Sequence, residues 1–472
     1  MIPVTSFAGA EVAVFGLGTS GRSTCRALLA GGARVAAWDD GEAARTAGAL
    51  DGISVIDLAG ADWSRFAALV LAPGVPLTHP EPHWTVQRAR AAGVEIIGDI
   101  ELFFRERARL SPASEVVCIT GTNGKSTTTA LIAHVLAAAG ADVEMGGNIG
   151  VPVLDLAPPD GKRIHVLEMS TFQIELTPSL APTIGVMLNL SPDHLDRHGT
   201  MSRYVAIKES LVARAATAVI GIDDRLSSAI ADRAAEDGIP VTAISSLGMR
   251  ASDVPLFYGE DGHLHVAAVD ALEVDVGSLA GIDALRGGHN MQNALAALAV
   301  ASLVRPGVHL TDHVAAFRSF PGLPHRMEGV GRLGRVLFIN DSKATNADST
   351  EKALTSWPGD IYWIADGTPK EGGITPLAPH FYRVAKAFLI GKAAGDFARA
   401  LDGQVPHELC GTLDKALAAA ARDASQSAAA EPVVLLSPAC ASYDQFRSYG
   451  HRGDVFRDLV ARLIADHGEG RG

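Results

Sequence analysis

Seven residues, Gly121-Thr122-Asn123-Gly124-Lys125-Ser126-Thr127, stand directly between an apolar run, Val116-Val117-Cys118-Ile119, and a helix-forming run that starts at Thr128. A strand that turns through two glycines into a helix with a lysine at its start is suited to grip phosphate. Glycine lets the backbone close around phosphate oxygens, the helix presents unpaired N–H groups and the positive end of its dipole, and Lys125 adds a full charge. Ser126 or Thr127 then offers a hydroxyl to a magnesium ion. Two residues separate the glycines where the common loop has four, so this is a shortened variant.

A second strand–turn–helix unit opens the chain. Residues 11–15 read as a buried strand, Arg22 to Ala30 as a helix and 34–38 as the next strand; the turn is Gly16-Leu17-Gly18-Thr19-Ser20-Gly21, and Asp39 ends the second strand. Alone, this fits a dinucleotide fingerprint, or a glycine turn that only lets a helix pack on a strand. The 472 residues suggest about three domains. A charged stretch with a proline, Arg105 to Pro112, reads as a linker, and a second break falls at Phe320-Pro321-Gly322-Leu323-Pro324. Strand-like runs at 335–339, 361–364, 386–390 and 432–436 then alternate with helical ones, while 215–280 carries strand and turn signals.

A net charge of −13 without a basic run excludes an ordinary nucleic-acid partner. Cys25, Cys118, Cys410 and Cys440 are scattered, with no paired spacing for zinc, as in reduced cytosolic proteins. Neither a signal-like start nor an apolar stretch of ~18 residues is present, so no membrane insertion and a cytoplasmic location are expected.

Three further polar positions follow apolar runs. Glu168, in Leu167-Glu168-Met169-Ser170-Thr171-Phe172-Gln173, ends a strand and can reach the loop's magnesium; read alone it is a helix-capping or surface glutamate. His194, in Asn189-Leu190-Ser191-Pro192-Asp193-His194, is a candidate for a second metal or a hydrogen-bonded turn histidine. Lys208 lies on a predicted helix, and nothing local distinguishes it from a solvated lysine.

These motifs, with Gly288-His289-Asn290-Met291-Gln292-Asn293, Leu323-Pro324-His325-Arg326, Asn340-Asp341-Ser342-Lys343-Ala344-Thr345-Asn346 and Ser437-Pro438-Ala439-Cys440-Ala441-Ser442, resemble in order and over nearly the whole chain the Mur ligases of peptidoglycan synthesis. The last two segments, with Gly98-Asp99-Ile100-Glu101-Leu102-Phe103, are similar to the branch that adds D-glutamate to UDP-N-acetylmuramoyl-L-alanine. The resemblance implies an α/β fold of three domains: a Rossmann-like UDP-binding domain over 1–110, a central P-loop ATPase-type domain with a mostly parallel sheet over 111–321, and a Rossmann-like amino-acid-binding domain over 322–472. It implies a monomer that makes an amide through an acyl phosphate, using ATP and Mg²⁺ at two sites.

Residue by residue, the resemblance assigns Gly121, Thr122, Asn123, Gly124 and Lys125 to the phosphates. Ser126 or Thr127 with Glu168 would hold one Mg²⁺ and His194 a second, while Lys208 would be carbamylated by CO₂ into an anionic metal bridge. Asn293 would contact adenine, Arg326 the γ-phosphate and Asp341 the nucleoside end. Gly18, Thr19, Ser20 and Asp39 would hold UDP, and Asn148 the muramoyl-alanine end, with Ser170 also on the substrate side. Thr345, Lys370, Ser442 and Tyr449 would take D-glutamate.

Two positions depart from the family pattern. Ala72-Pro73-Gly74 stands where relatives have Ser-Pro-Gly, removing a hydroxyl, and Asp366-Gly367 replaces paired glycines, adding a negative charge where two acids must bind. Another ATP-dependent amide ligase, an L-glutamate-adding relative and a nucleotide-binding protein without ligase activity are the competing readings.

Overall fold

The structure, a computed structural model, describes residues 1–249, 253–268, 272–368 and 373–469. The chain divides into two compact units, Met1–Ser278 with Met291–Arg318, and Leu279–Asn290 with Ser319–Gly472.

The first unit holds two sheets. The smaller has four parallel strands in the order Arg34–Trp38, Glu11–Phe15, Phe66–Leu71, Glu95–Ile97. Val12 and Val14 enter one apolar core and Ala13 and Phe15 another. That is what the two-residue side-chain period gives a strand covered on both faces. The larger sheet has nine strands, in the order Val274–Ser278, His263–Ala267, Leu256–Glu260, Val241–Ser245, Thr217–Gly221, Ile184–Met187, Glu115–Thr120, Arg163–Glu168, Asp142–Gly147. It is parallel except for His263–Ala267, which pairs antiparallel with both Leu256–Glu260 and Val274–Ser278 at one edge. Val117 lies opposite both Val166 and Ile184, so three neighbouring strands end side by side and deliver the phosphate loop, Glu168 and Asn189 to one sheet edge.

The second unit is built on six strands in the order Glu328–Leu333, Val336–Asn340, Val433–Leu436, Ile361–Ala365, Val384–Ile390, His407–Gly411, all parallel but the first. Here too alternate residues, Leu337 and Ile339 against Val336 and Phe338, fill separate cores on the two faces.

Local chemistry explains where the elements differ from expectation. The first helix starts at Thr19, not Arg22, because Gly18 caps it in extended conformation. The charged run expected as a linker continues the helix Asp99–Leu110. Its charges are paired: Arg105 reaches Glu101 at 2.7 Å and Glu95 at 2.9 Å, and Arg107 donates to the carbonyls of Ser114 and Ala181. Strand His407–Gly411 had no apolar run to mark it, since it is half exposed at the sheet edge. No helix among the described residues is long and apolar enough to cross a membrane.

Candidate active site

The loop after strand Glu115–Thr120 turns on Gly121, at φ +151°, and Gly124, at φ +83°, before helix Lys125–Ala138 begins. A side chain at Gly124 would meet Asn293 Oδ1 at 2.4 Å, so the close backbone approach requires glycine. Lys125 Nζ folds back to donate to the carbonyls of Gly121, at 3.0 Å, and Thr122, at 2.8 Å. Asn189 fastens the loop tip: its Oδ1 accepts from Asn123 N at 2.9 Å, and its Nδ2 donates to Asn123 O at 3.2 Å and to Gln292 Oε1 at 2.7 Å. Thr128 Oγ1 donates to Asn293 Oδ1 at 3.0 Å, joining the nucleotide helix to helix His289–Val304. Ser126 and Thr127 lie buried in the first helical turn.

Two readings made from the residues alone are overturned by burial. Lys208 is 2% exposed, because Tyr204, Lys208, Leu211 and Val212 form the inward face of helix Met201–Ala213. Its Nζ donates to Thr120 Oγ1 at 3.1 Å and to Gly121 O at 2.7 Å, so it is not a solvated lysine. Burial, then the neighbouring Lys125, drives its ammonium well below the usual lysine range, against the pull of Asp193 and Glu168. Glu168 is also 2% exposed rather than a surface glutamate. Its Oε1 accepts from Asn148 Nδ2 at 2.6 Å, while its buried Oε2 has no hydrogen-bond partner among the described residues. A buried carboxylate oxygen without a donor is costly, and a hard cation is the kind of partner that satisfies it. Together with the buried hydroxyls of Ser126 and Thr127, Glu168 fits one Mg²⁺.

His194 is different. It takes a left-handed backbone, φ +50°, at the start of the short helix Leu195–His198, is half exposed, and approaches Asp193 at 3.5 Å. Among the described residues no three His, Cys, Asp or Glu side chains are gathered as a metal cluster. The second metal therefore rests on the resemblance. Tyr204 was missed from sequence: its OH lies 2.9 Å from Thr122 Oγ1 and its ring 5.0 Å from Lys208 Nζ. The four-residue spacing from Lys208 on one helix was the available signal.

In the small sheet, Gly18 caps helix Thr19–Ala30 and has no atom within 4 Å of where a side chain would start, leaving room for a ligand over the free N–H groups of Thr19 and Ser20. Gly16 and Gly21 are fixed by packing, since a Cβ on Gly21 would lie 1.7 Å from Gly16 O. Both Asp39 oxygens serve the backbone, accepting from Leu17 N at 2.7 Å and Gly41 N at 2.8 Å. Asp39 thus shapes the glycine turn. Ser170 spends its hydroxyl on a helix cap, accepting from Gln173 N.

In the second unit the expected residues gather at strand carboxyl ends. Asp341 follows its strand buried, accepting from Ser437 Oγ at 2.8 Å and Met327 N at 3.2 Å. Burial pushes its carboxyl up to about 7, opposed by the Ser437 bond and Arg326. Arg326 keeps a buried Nε without a hydrogen-bond partner among the described residues. Ser442 is buried, Thr345 half-buried, and Tyr449, partly exposed, opens the long helix Tyr449–Glu469. Lys370 lies outside the described residues. Asp366 does not add a loose negative charge, because it is fully buried against Arg452 at 3.0 Å.

Parallel sheets that present a phosphate loop, a buried lysine and an unsatisfied carboxylate at one edge define a nucleotide-dependent enzyme. Residues 119–301 match the Mur ligase middle domain. The chain is 55% identical over 468 residues to the UDP-N-acetylmuramoylalanine–D-glutamate ligase of Brucella abortus (strain 2308), and 56% identical over 466 residues to that of Nitrobacter hamburgensis, covering 98% of each chain in both cases. It belongs to the Mur ligase family. Among solved structures, the UDP-N-acetylmuramate-alanine ligase of Thermotoga maritima aligns over 97% of this chain and 99% of its own, with a TM-score of 0.58 at 17% identity. A pseudomurein peptide ligase type C from Methanothermus fervidus aligns over 96% and 100%, with a TM-score of 0.54 at 19% identity. At these identities the likeness is one of fold.

Proposed function

We infer that this chain is an ATP-dependent amide ligase that adds D-glutamate to UDP-N-acetylmuramoyl-L-alanine in peptidoglycan precursor synthesis. The observation that carries the substrate pair is near end-to-end identity of 54–56% with ligases named for it. The buried cluster around the phosphate loop supports the chemistry.

A carboxylate does not condense with an amine in water, because its oxygen is a poor leaving group. In this reading the alanine carboxylate attacks the γ-phosphorus of ATP and ADP departs. The amine of D-glutamate then adds to the acyl phosphate carbon, loses a proton and expels phosphate as the amide forms. Negative charge grows on phosphoryl oxygens in the first step, where preorganised donors are worth most. Lys125 exchanges its two loop carbonyls for phosphate oxygens, beside the N–H groups of Gly121 to Thr127. Glu168, with Ser126 or Thr127, would hold Mg²⁺, which would supply charge neutralisation on the phosphates; a second ion is assigned to His194. A neutral Lys208 amine is the form that adds to CO₂, losing a proton to give a carbamate anion, and the low proton affinity of Lys208 supports that assignment.

The remaining assignments are Asn293 to adenine, Arg326 to the γ-phosphate and Asp341 to the nucleoside end. Gly18, Thr19 and Ser20, shaped by Asp39, take UDP, and Asn148 and Ser170 the muramoyl-alanine end. Thr345, Lys370, Ser442 and Tyr449 take D-glutamate. Domain bounds of 1–110, 111–321 and 322–472 go with this division of labour. The reading takes the enzyme to act as a monomer, and the soluble substrates suit a cytoplasmic enzyme. Mass analysis of the UDP-linked product after incubation with ATP and D-glutamate tests the reading: a gain of one glutamyl residue is expected, and an unchanged acceptor would contradict it.

A further inference from the structure

The departure at Asp366 has a partner on the helix Tyr449–Glu469. Arg452 is fully buried, and its guanidinium reaches three loops at the carboxyl ends of neighbouring strands. Nε donates to Ser342 Oγ at 2.9 Å, Nη2 to Ser342 O at 3.0 Å and Cys440 O at 3.2 Å, and Nη1 to Asp366 Oδ2 at 3.0 Å. Ser342 Oγ in turn donates to Tyr449 O at 2.8 Å. The residues assigned to the incoming amino acid are set by these loops: Thr345 follows Ser342 by three positions and Ser442 follows Cys440 by two. Only a planar fork with several donors spans such a set; a lysine ammonium is a single point.

Arginine cannot shed its charge, so when buried it needs a counter-ion. Asp366 is that counter-ion, and it is equally buried. Space is kept for it by Gly391, where a Cβ would lie 2.6 Å from both Asp366 Oδ1 and Asp444 Oδ2. We propose that the Arg452–Asp366 pair is the positioning device of the amino-acid pocket, fixing the loops of Ser342, Cys440 and Asp366 in register so that Thr345, Ser442 and Tyr449 meet D-glutamate preformed. The inference rests on the ligase reading above.

Asp366→Asn removes the counter-ion, and Arg452→Lys keeps the charge while losing the fork. For each, steady-state KM for D-glutamate, KM for ATP and kcat are compared with wild type, with thermal unfolding measured alongside. KM for D-glutamate is expected to rise about tenfold or more while KM for ATP stays within about twofold, as for a loss confined to one substrate's binding. Should Asp366→Asn not fold, Arg452→Lys carries the test. Unchanged KM for D-glutamate, or an equal loss for both substrates, overturns the inference and leaves the ligase function standing. Wild-type turnover indifferent to D-glutamate would overturn both.

Discussion

Lys208 and Glu168 show how much a side chain's chemistry depends on where the fold puts it. Each is 2% exposed, one beside Lys125 and the other with an oxygen that no donor among the described residues reaches. We expect Lys208→Ala to lose at least ~100-fold in kcat, the scale of removing one preorganised charge from a transition state, and to regain part of it with added short-chain carboxylic acids that occupy the carbamate's place. A plain alanine variant of full activity would remove that role. A second expectation concerns pH. Burial lifts Asp341 from 3.8 to about 7, so the folded chain keeps a proton that the unfolded chain releases. Stability should therefore fall as pH rises through that window and level off above it. Asp341→Asn, neutral throughout, should flatten the fall, a difference on the order of a few kcal/mol, read by thermal unfolding at pH 5 and pH 8. Equal slopes for the two proteins would contradict the assignment. Neither burial was legible from residue types, since a lysine or glutamate on a short stretch looks the same inside or out. The motif that surrounds each one carried the information instead.

At the scale of elements, the strand–loop–helix of the phosphate loop was legible because glycine spacing, apolar run and helix start all agree at one place. Gly124→Ala should break it, because the new methyl meets Asn293 Oδ1 at 2.4 Å on a backbone at φ +83°. ATP affinity is expected to drop by about tenfold or more, the effect of a strained left-handed alanine at a ligand loop, while D-glutamate dependence of the residual activity persists; equilibrium binding of an ATP analogue measures it, and unaltered affinity would show that the loop tolerates the strain. The helix through Arg105 to Leu110 escaped the sequence reading for the opposite reason. Its charges suggest solvent, yet their partners, Glu95 and the carbonyls of Ser114 and Ala181, lie outside the helix. Strand His407–Gly411 was missed because an edge strand needs no continuous apolar run.

For the whole molecule, three largely parallel sheets were foreseeable from alternating strand and helix signals, and the order of motifs along the chain pointed to one family. What the pattern of motifs could not give is how a departure is absorbed: Asp366, which threatened the pocket with charge, is neutralised by Arg452 from a helix far along the chain. The measurement that bears most directly on the function is phosphate release from ATP in the presence of UDP-N-acetylmuramoyl-L-alanine, with D-glutamate, with L-glutamate and with no amino acid. Release that depends on D-glutamate is expected. Release with L-glutamate alone would keep the mechanism and reverse the stereochemistry, and no release with either would contradict the ligase reading.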